Sequence, residues 1–130
     1  MMLDVDHFKQ FNDTYGHDMG DAVLKEVGAC SLEALRDIDI LGRWGGEEFA
    51  ALLPGISREG AMVAAERLRA ALSGRTISVG PHKDIHLTVS VGVTVLSGIE
   101  DDIAAMMKRA DTALYAAKGA GRNCVRQAFP

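Results

Sequence analysis

Arg43-Trp44-Gly45-Gly46-Glu47-Glu48-Phe49-Ala50-Ala51-Leu52-Leu53 reads as two strands and the turn that joins them. Paired glycines permit the positive φ angles that a tight hairpin needs, so Ile38 to Trp44 and Glu48 to Leu53 are predicted as adjacent antiparallel strands. The run Phe49-Ala50-Ala51-Leu52-Leu53 is apolar without alternation, which predicts a strand covered on both faces. Pro54-Gly55 ends it.

Working outward from the hairpin, Met1 to Val5 is a short apolar run that reaches Asp4 and Asp6, a buried strand with carboxylates at its end. His7 to Tyr15 reads as a short helix ended by Gly16. Asp18 to Arg36 reads as a longer one, with Asp18 as its cap and Val23, Val27, Cys30 and Ala34 on one face. Beyond the hairpin, Ser57 caps a helix running to Leu72, whose buried stripe is Ala61, Ala64, Ala65, Leu68, Ala71 and Leu72. Gly80-Pro81 marks a turn. Ile85, Leu87, Val89, Val91, Val93 and Val95 then alternate as in a single strand. A last helix spans Asp102 to about Lys118, with Ile103, Met106, Met107, Ala110, Ala113, Leu114 and Ala117 on one face, and Asn123 to Arg126 adds a short edge strand. The order predicts an α+β fold: a ferredoxin-like split β-α-β core with a mostly antiparallel central sheet flanked by helices. In that topology the first strand lies antiparallel to the third, so Asp4 meets Glu47 and Glu48.

Composition agrees with one domain over residues 1–130. Of the 130 residues, 48% are hydrophobic and 25% charged, a normal globular balance. The formal net charge of −4 argues against broad binding to nucleic acid. Cys30 and Cys124 suit no zinc site by their spacing and read as reduced thiols. No apolar run of about eighteen residues is present. The start, Met1-Met2-Leu3-Asp4, has no basic segment or cleavage pattern. It reads as a chain entered inside a strand, an ordered core from a longer protein.

Three groups of side chains carry chemistry. Asp4, Asp6, Glu47 and Glu48 are hard oxygen donors of the kind magnesium shares with substrate phosphates. Adjacent strand residues point to opposite faces, so Asp4 and Asp6 share a face while Glu47 and Glu48 diverge. The main-chain N–H groups of His7, Phe8 and Lys9 open a helix and form a natural phosphate cradle. Asn12 and Asp21 offer an amide and a carboxylate, and a carboxylate accepts from guanine N1–H and N2 as it cannot from adenine. As helix caps they would have only a structural role. Lys118 and Arg122, around Gly119 and Gly121, offer a point charge and a planar fork for phosphate, or simply complement a helix C-terminus.

Taken together, Leu3-Asp4-Val5-Asp6-His7-Phe8-Lys9, Asn12-Asp13, Tyr15-Gly16-His17, Gly20-Asp21, Arg43 to Phe49, Ser90-Val91-Gly92-Val93, Ala110 to Tyr115 and Lys118 to Asn123 follow the order found in GGDEF domains. The chain resembles that family over essentially its whole length, in the GGEEF variant. The resemblance implies a fold of the nucleotidyl-cyclase and polymerase-palm type and a diguanylate cyclase, which joins two GTP molecules into cyclic di-GMP and releases two pyrophosphates. It implies that Asp4, the Val5 carbonyl and Glu47 bind magnesium, with manganese an alternative, and that Glu48 assists the metal or deprotonates the attacking hydroxyl. Asn12 and Asp21 would read guanine, with His17 nearby and Phe8 and Leu24 as apolar walls. Lys9, Lys118, Arg122 and the N–H groups after Asp6, including that of His7, would hold the triphosphate. Catalysis would need a homodimer, each subunit carrying one GTP.

The resemblance implies regulation as well. Arg36-Asp37-Ile38-Asp39 fits the family's Arg-x-x-Asp inhibitory site for cyclic di-GMP, which Arg67 can join; a surface ion pair is the plainer reading of the same residues. Relatives carry a helix and an Asp-x-Leu-Thr segment ahead of the first strand, and neither is in this sequence. The implied setting is the C-terminal output module of a cytoplasmic or membrane-anchored signalling protein, behind a sensory or receiver domain. The alternative is a non-catalytic receptor for GTP or cyclic di-GMP, although such receptors usually lose the hairpin acids that are kept here. A cyclase or palm-type relative using ATP fits Asn12 and Asp21 less well.

Overall fold

The computed structural model describes residues 1–130. Strand β1 (Met2–Val5) lies at the centre of a five-stranded sheet that also contains β2 (Ile40–Gly45), β3 (Glu48–Leu52), β6 (Val89–Val93) and β7 (Val125–Gln127), in the order β2-β3-β1-β6-β7. Only β6 and β7 run parallel; the other neighbours are antiparallel. The helices are α1 (Phe8–Tyr15), α2 (His17–Ala34), α3 (Arg58–Ser73) and α4 (Ile103–Gly119). This is the α+β arrangement expected from the order of elements, and no helix is long and apolar enough to cross a membrane.

The pleat divides the core in two. Leu3, Val5, Phe49, Val89, Val91 and Val93 pack with side chains of α2 and α3, including Val23, Val27 and Leu68. On the other face Met2 packs with Ala110 and Leu114 of α4. Gly92 explains how closely α4 approaches. A Cβ there would lie 2.2 Å from the Ala110 carbonyl oxygen and 2.3 Å from the Leu114 nitrogen, so only glycine fits. Arg109 braces the same helix, with Nε on Thr94 Oγ1 at 3.0 Å, Nη1 on Asp101 Oδ1 at 3.0 Å and Nη2 on the Val95 carbonyl at 3.0 Å. Its guanidinium holds the Asp101 carboxyl down at about 2.

The expected caps are partly borne out. Ser57 Oγ accepts from the Gly60 N–H at 3.0 Å, and a cap not expected from the sequence is also present, Asp102 Oδ1 accepting from the Ala105 N–H at 2.7 Å. Asp18 is not a cap: Gly16, at φ 89°, ends α1 and begins α2, and Asp18 lies inside the first turn.

Three other readings need correction. The alternation from Ile85 to Val95 is not one strand. Its start belongs to a hairpin of β4 (Ile77–Val79) and β5 (His82–Ile85), turned at Gly80 with φ 53°, which forms a separate two-stranded sheet. All five residues of β6 are buried, because helices cover both of its faces. Ala71 is exposed, not part of the α3 stripe. Nor is β3 covered on both faces throughout: Ile103 in the first turn of α4 is 64% exposed, and the β2–β3 end of that face is open, with Ile40 and Leu52 paired in register and both exposed.

Candidate functional site

The site grows from the end of β1. Asp4 stands opposite Glu48 across the β1–β3 pair, as the predicted topology requires. In the hairpin Gly46 alone takes the left-handed conformation, at φ 49°, and Arg43 Nε donates to its carbonyl at 2.8 Å. The register slips between Arg43 and Gly45. As expected the two hairpin acids diverge. Glu47 lines a cleft of about 240 Å³ whose wall is otherwise formed by Asp4, His7, Lys9, Lys118 and Arg122 among others; Glu48 is outside that wall.

His7, at φ 57°, forms the N-terminal cap position of α1, and no side chain caps the helix. The N–H groups of its first turn therefore border the cleft without a capping acceptor, the condition for anion binding at a helix start. From the far end of the chain, Lys118 Nζ donates to Asp4 Oδ2 at 2.7 Å, while the Asp4 side chain is only 6% exposed. Burial pushes the Asp4 carboxyl up to about 6. The Lys118 ammonium opposes that shift, and the charges of Glu47 and Glu48 add to it. The three carboxylates therefore repel one another with one lysine as direct compensation. They do not form a compact side-chain cluster ready to hold a metal. Their oxygen donors nonetheless fit a hard divalent cation that arrives with anionic phosphates.

Asp6 does not join them. It shares the Asp4 face, as the pleat predicts, but its oxygens are taken by Thr88, Ser90 and the Asn123 N–H. Sequence reasoning had no signal for this role, because the partners lie 82 to 117 residues away.

Asn12, His17, Asp21 and Leu24 belong to the α1–α2 junction rather than to the cleft wall. Asn12 Oδ1 is buried without a hydrogen-bond partner, an acceptor aimed at nothing in the protein. Gly20 abuts it, and a Cβ there would fall 1.8 Å from that oxygen. His17 and Asp21 are exposed, and Phe8 and Leu24 are buried in the core.

Arg36, Asp39 and Arg67 come together at a separate place, where α2 passes into β2. Arg36 Nη2 and Nε donate to Asp39 Oδ1 at 2.7 and 3.1 Å, and the Arg36 N–H donates to Oδ2 at 2.8 Å. Arg36 Nη2 also reaches the Pro54 carbonyl, and Arg67 Nε the Ala34 carbonyl. The Asp39 side chain is fully buried, so this is more than a surface ion pair.

The chain is similar to known proteins in sequence and in fold. Residues 1–124 match the family described as "Diguanylate cyclase, GGDEF domain". The response regulator PleD of Caulobacter vibrioides is 40% identical over 126 residues, 96% of this chain and 28% of that protein. Among solved structures, diguanylate cyclase SiaD from Pseudomonas aeruginosa, crystallised with its activator SiaC, is 43% identical with a TM-score of 0.88, covering 99% of this chain and 48% of that one. The GGDEF domain of DgcB from Caulobacter crescentus, in complex with c-di-GMP, is 36% identical with a TM-score of 0.90, covering 98% and 75%. The chain thus spans under a third of PleD and about half of SiaD.

Proposed function

The chain belongs to the GGDEF family of diguanylate cyclase domains, and from that premise we propose that it condenses two GTP molecules into cyclic di-GMP with release of two pyrophosphates. The observation that carries the reading is the Asp4–Lys118 pair. It joins a buried carboxylate, a partly exposed ammonium and the uncapped start of α1 in one cleft, with Glu47 and Arg122 on the wall.

In this reading the first-turn N–H groups of α1, from His7 onward, together with Lys9, Lys118 and Arg122, bind the triphosphate. The unpartnered Asn12 Oδ1 accepts from guanine and Asp21 supplies the second polar contact, with His17 beside it and Phe8 and Leu24 behind the ring. Asp4, the Val5 carbonyl and Glu47 would hold magnesium, or manganese in its place, and the ion, when bound, would neutralise phosphate charge. Glu48 accepts the proton of the attacking 3′ hydroxyl. Each domain presents one GTP, and each 3′ hydroxyl attacks the α-phosphate held by the other domain, so catalysis rests on positioning and charge stabilisation. Retention of both hairpin acids favours this enzyme over a receptor that only binds nucleotide.

We also infer product control. Arg36 Nη1 and the terminal nitrogens of Arg67 are not used by the Asp39 cluster and remain as donors for the phosphates or guanine edges of cyclic di-GMP. An upstream sensory or receiver domain and a cytoplasmic site with access to GTP complete the proposal. The two-domain step is tested by the rate of product formation as protein is diluted. Below the dimerisation constant the rate should fall with the square of protein concentration; a strictly linear fall to the lowest detectable level would overturn the two-domain reading.

A further inference from the structure

Asp6 is 4% exposed and lies two residues from Asp4, yet it takes no part in the acid cluster. Its Oδ2 accepts from Thr88 Oγ1 at 2.6 Å and from the Asn123 N–H at 2.9 Å, and its Oδ1 accepts from Ser90 Oγ at 2.6 Å. The Asp6 N–H donates to the Thr88 carbonyl at 2.9 Å. One carboxylate therefore ties together the end of β1, the entry to β6 and the loop that follows α4.

That loop needs an anchor. Gly121, Arg122 and Asn123 have φ angles of 107°, 63° and 45°. Arginine and asparagine carry a Cβ, and two such residues in succession with positive φ are disfavoured without outside support. The other restraints on the loop are neutral backbone bonds, Arg122 N–H to the Ala117 carbonyl at 3.1 Å and Gly121 N–H to the Lys118 carbonyl at 3.4 Å, and an exposed bond from Arg69 Nη1 to Asn123 Oδ1 at 2.7 Å. Asp6 supplies the buried, charged acceptor, the stronger class of hydrogen bond. Arg122, which the loop carries, lines the same cleft as Lys9 and the α1 start.

We propose that Asp6 is a positioning residue that locks the Gly121–Asn123 loop and so presents Arg122 to the phosphates of the nucleotide in the cleft. The inference rests on the reading of that cleft as the GTP triphosphate site. It gives the second acid of Asp4-Val5-Asp6 a task distinct from that of the first: Asp4 meets the cation and Asp6 holds the loop that carries Arg122.

The test is a double-mutant cycle of Asp6→Ala with Arg122→Ala on the full chain, read by equilibrium binding of GTP and, separately, of guanosine, which lacks phosphates. Asp6→Ala and Arg122→Ala should each weaken GTP binding by about tenfold, the double variant should be no weaker than Arg122→Ala alone, and guanosine binding should be unchanged throughout. Should Asp6→Ala not fold, Asp6→Asn takes its place, since one amide oxygen is left for three donors; a smaller loss of GTP affinity, again absent in the Arg122→Ala background, is expected. GTP binding unaffected by Asp6→Ala, losses that add, or a parallel loss of guanosine affinity would overturn the positioning role while leaving the cleft assignment in place. Failure of the unaltered chain to bind GTP would overturn both.

Discussion

Asp4 and Asp39 are both buried carboxylates paired with one basic side chain, and the two pairs are built in opposite ways. Asp39 is gripped by two nitrogens of the Arg36 guanidinium and by a backbone N–H. Those bonds hold its carboxyl below the usual range, outweighing the effect of burial. Asp4 keeps one bond, to the point charge of Lys118, and makes none through Oδ1. There burial wins, and Glu47 and Glu48 push the group further the same way. A carboxylate so poorly satisfied is a poor structural element and a good site for a ligand that brings positive charge. The Asp39 cluster fastens α2 to β2 whether or not it also binds product.

The contrast is sharpened most by substitutions at the acids themselves. Glu48→Gln should lower turnover by about 10²- to 10⁴-fold, the usual worth of a general base, with GTP affinity kept; lost affinity would mean that Glu48 serves binding. Asp39→Ala should cost about 2 kcal/mol of folding stability in denaturant titrations, from charged hydrogen bonds lost in a buried place, whereas Asp4→Asn should leave stability in EDTA unchanged or raised. Equal losses would erase the distinction between the pairs.

The pH dependence carries the same contrast in sign. In EDTA the Asp4 carboxyl titrates near 6 in the folded chain, above its ordinary value of 3.8. Its favourable contribution is complete below the ordinary value and is lost as pH rises through about 6. Asp39 is held low, so its contribution is present above the ordinary value and is lost as pH falls through its folded one. The stability difference between the unaltered chain and Asp4→Asn should therefore fall from acid toward neutral pH, and that for Asp39→Asn should rise. Parallel slopes would contradict the assignment. The smallest effect is expected at Arg67→Ala, which should weaken inhibition by added cyclic di-GMP with little change in initial rate; unchanged inhibition would remove product binding from this cluster.

Much of this was legible from residues close in sequence. Gly45-Gly46 between two apolar runs located the hairpin, and the order of elements placed β1 against β3, which put Asp4 beside Glu48. What escaped depends on contacts between distant segments. The period of two from Ile85 to Val95 is real, but it spans two sheets, because Ile85 pairs with Ile77 in a local hairpin while Val89 begins β6 of the five-stranded sheet. Lys118 could be read as phosphate ligand or helix-end cation, but its bond to Asp4 crosses 114 residues. Asp6 looked like a second metal acid because spacing reports the face of a strand and not the hydroxyls that await it there. The arginine cluster was recognised by pattern alone, and only the fold reveals that the Asp39 side chain is fully buried.

The central proposal is that GTP reacts at Asp4 and its cleft. Its most direct test is analysis of the product formed from GTP and magnesium, at protein concentrations high enough for domains to pair, by the unaltered chain and by Asp4→Asn side by side. Cyclic di-GMP from the first and none from the second is the expected result; product from both, or from neither, would contradict it.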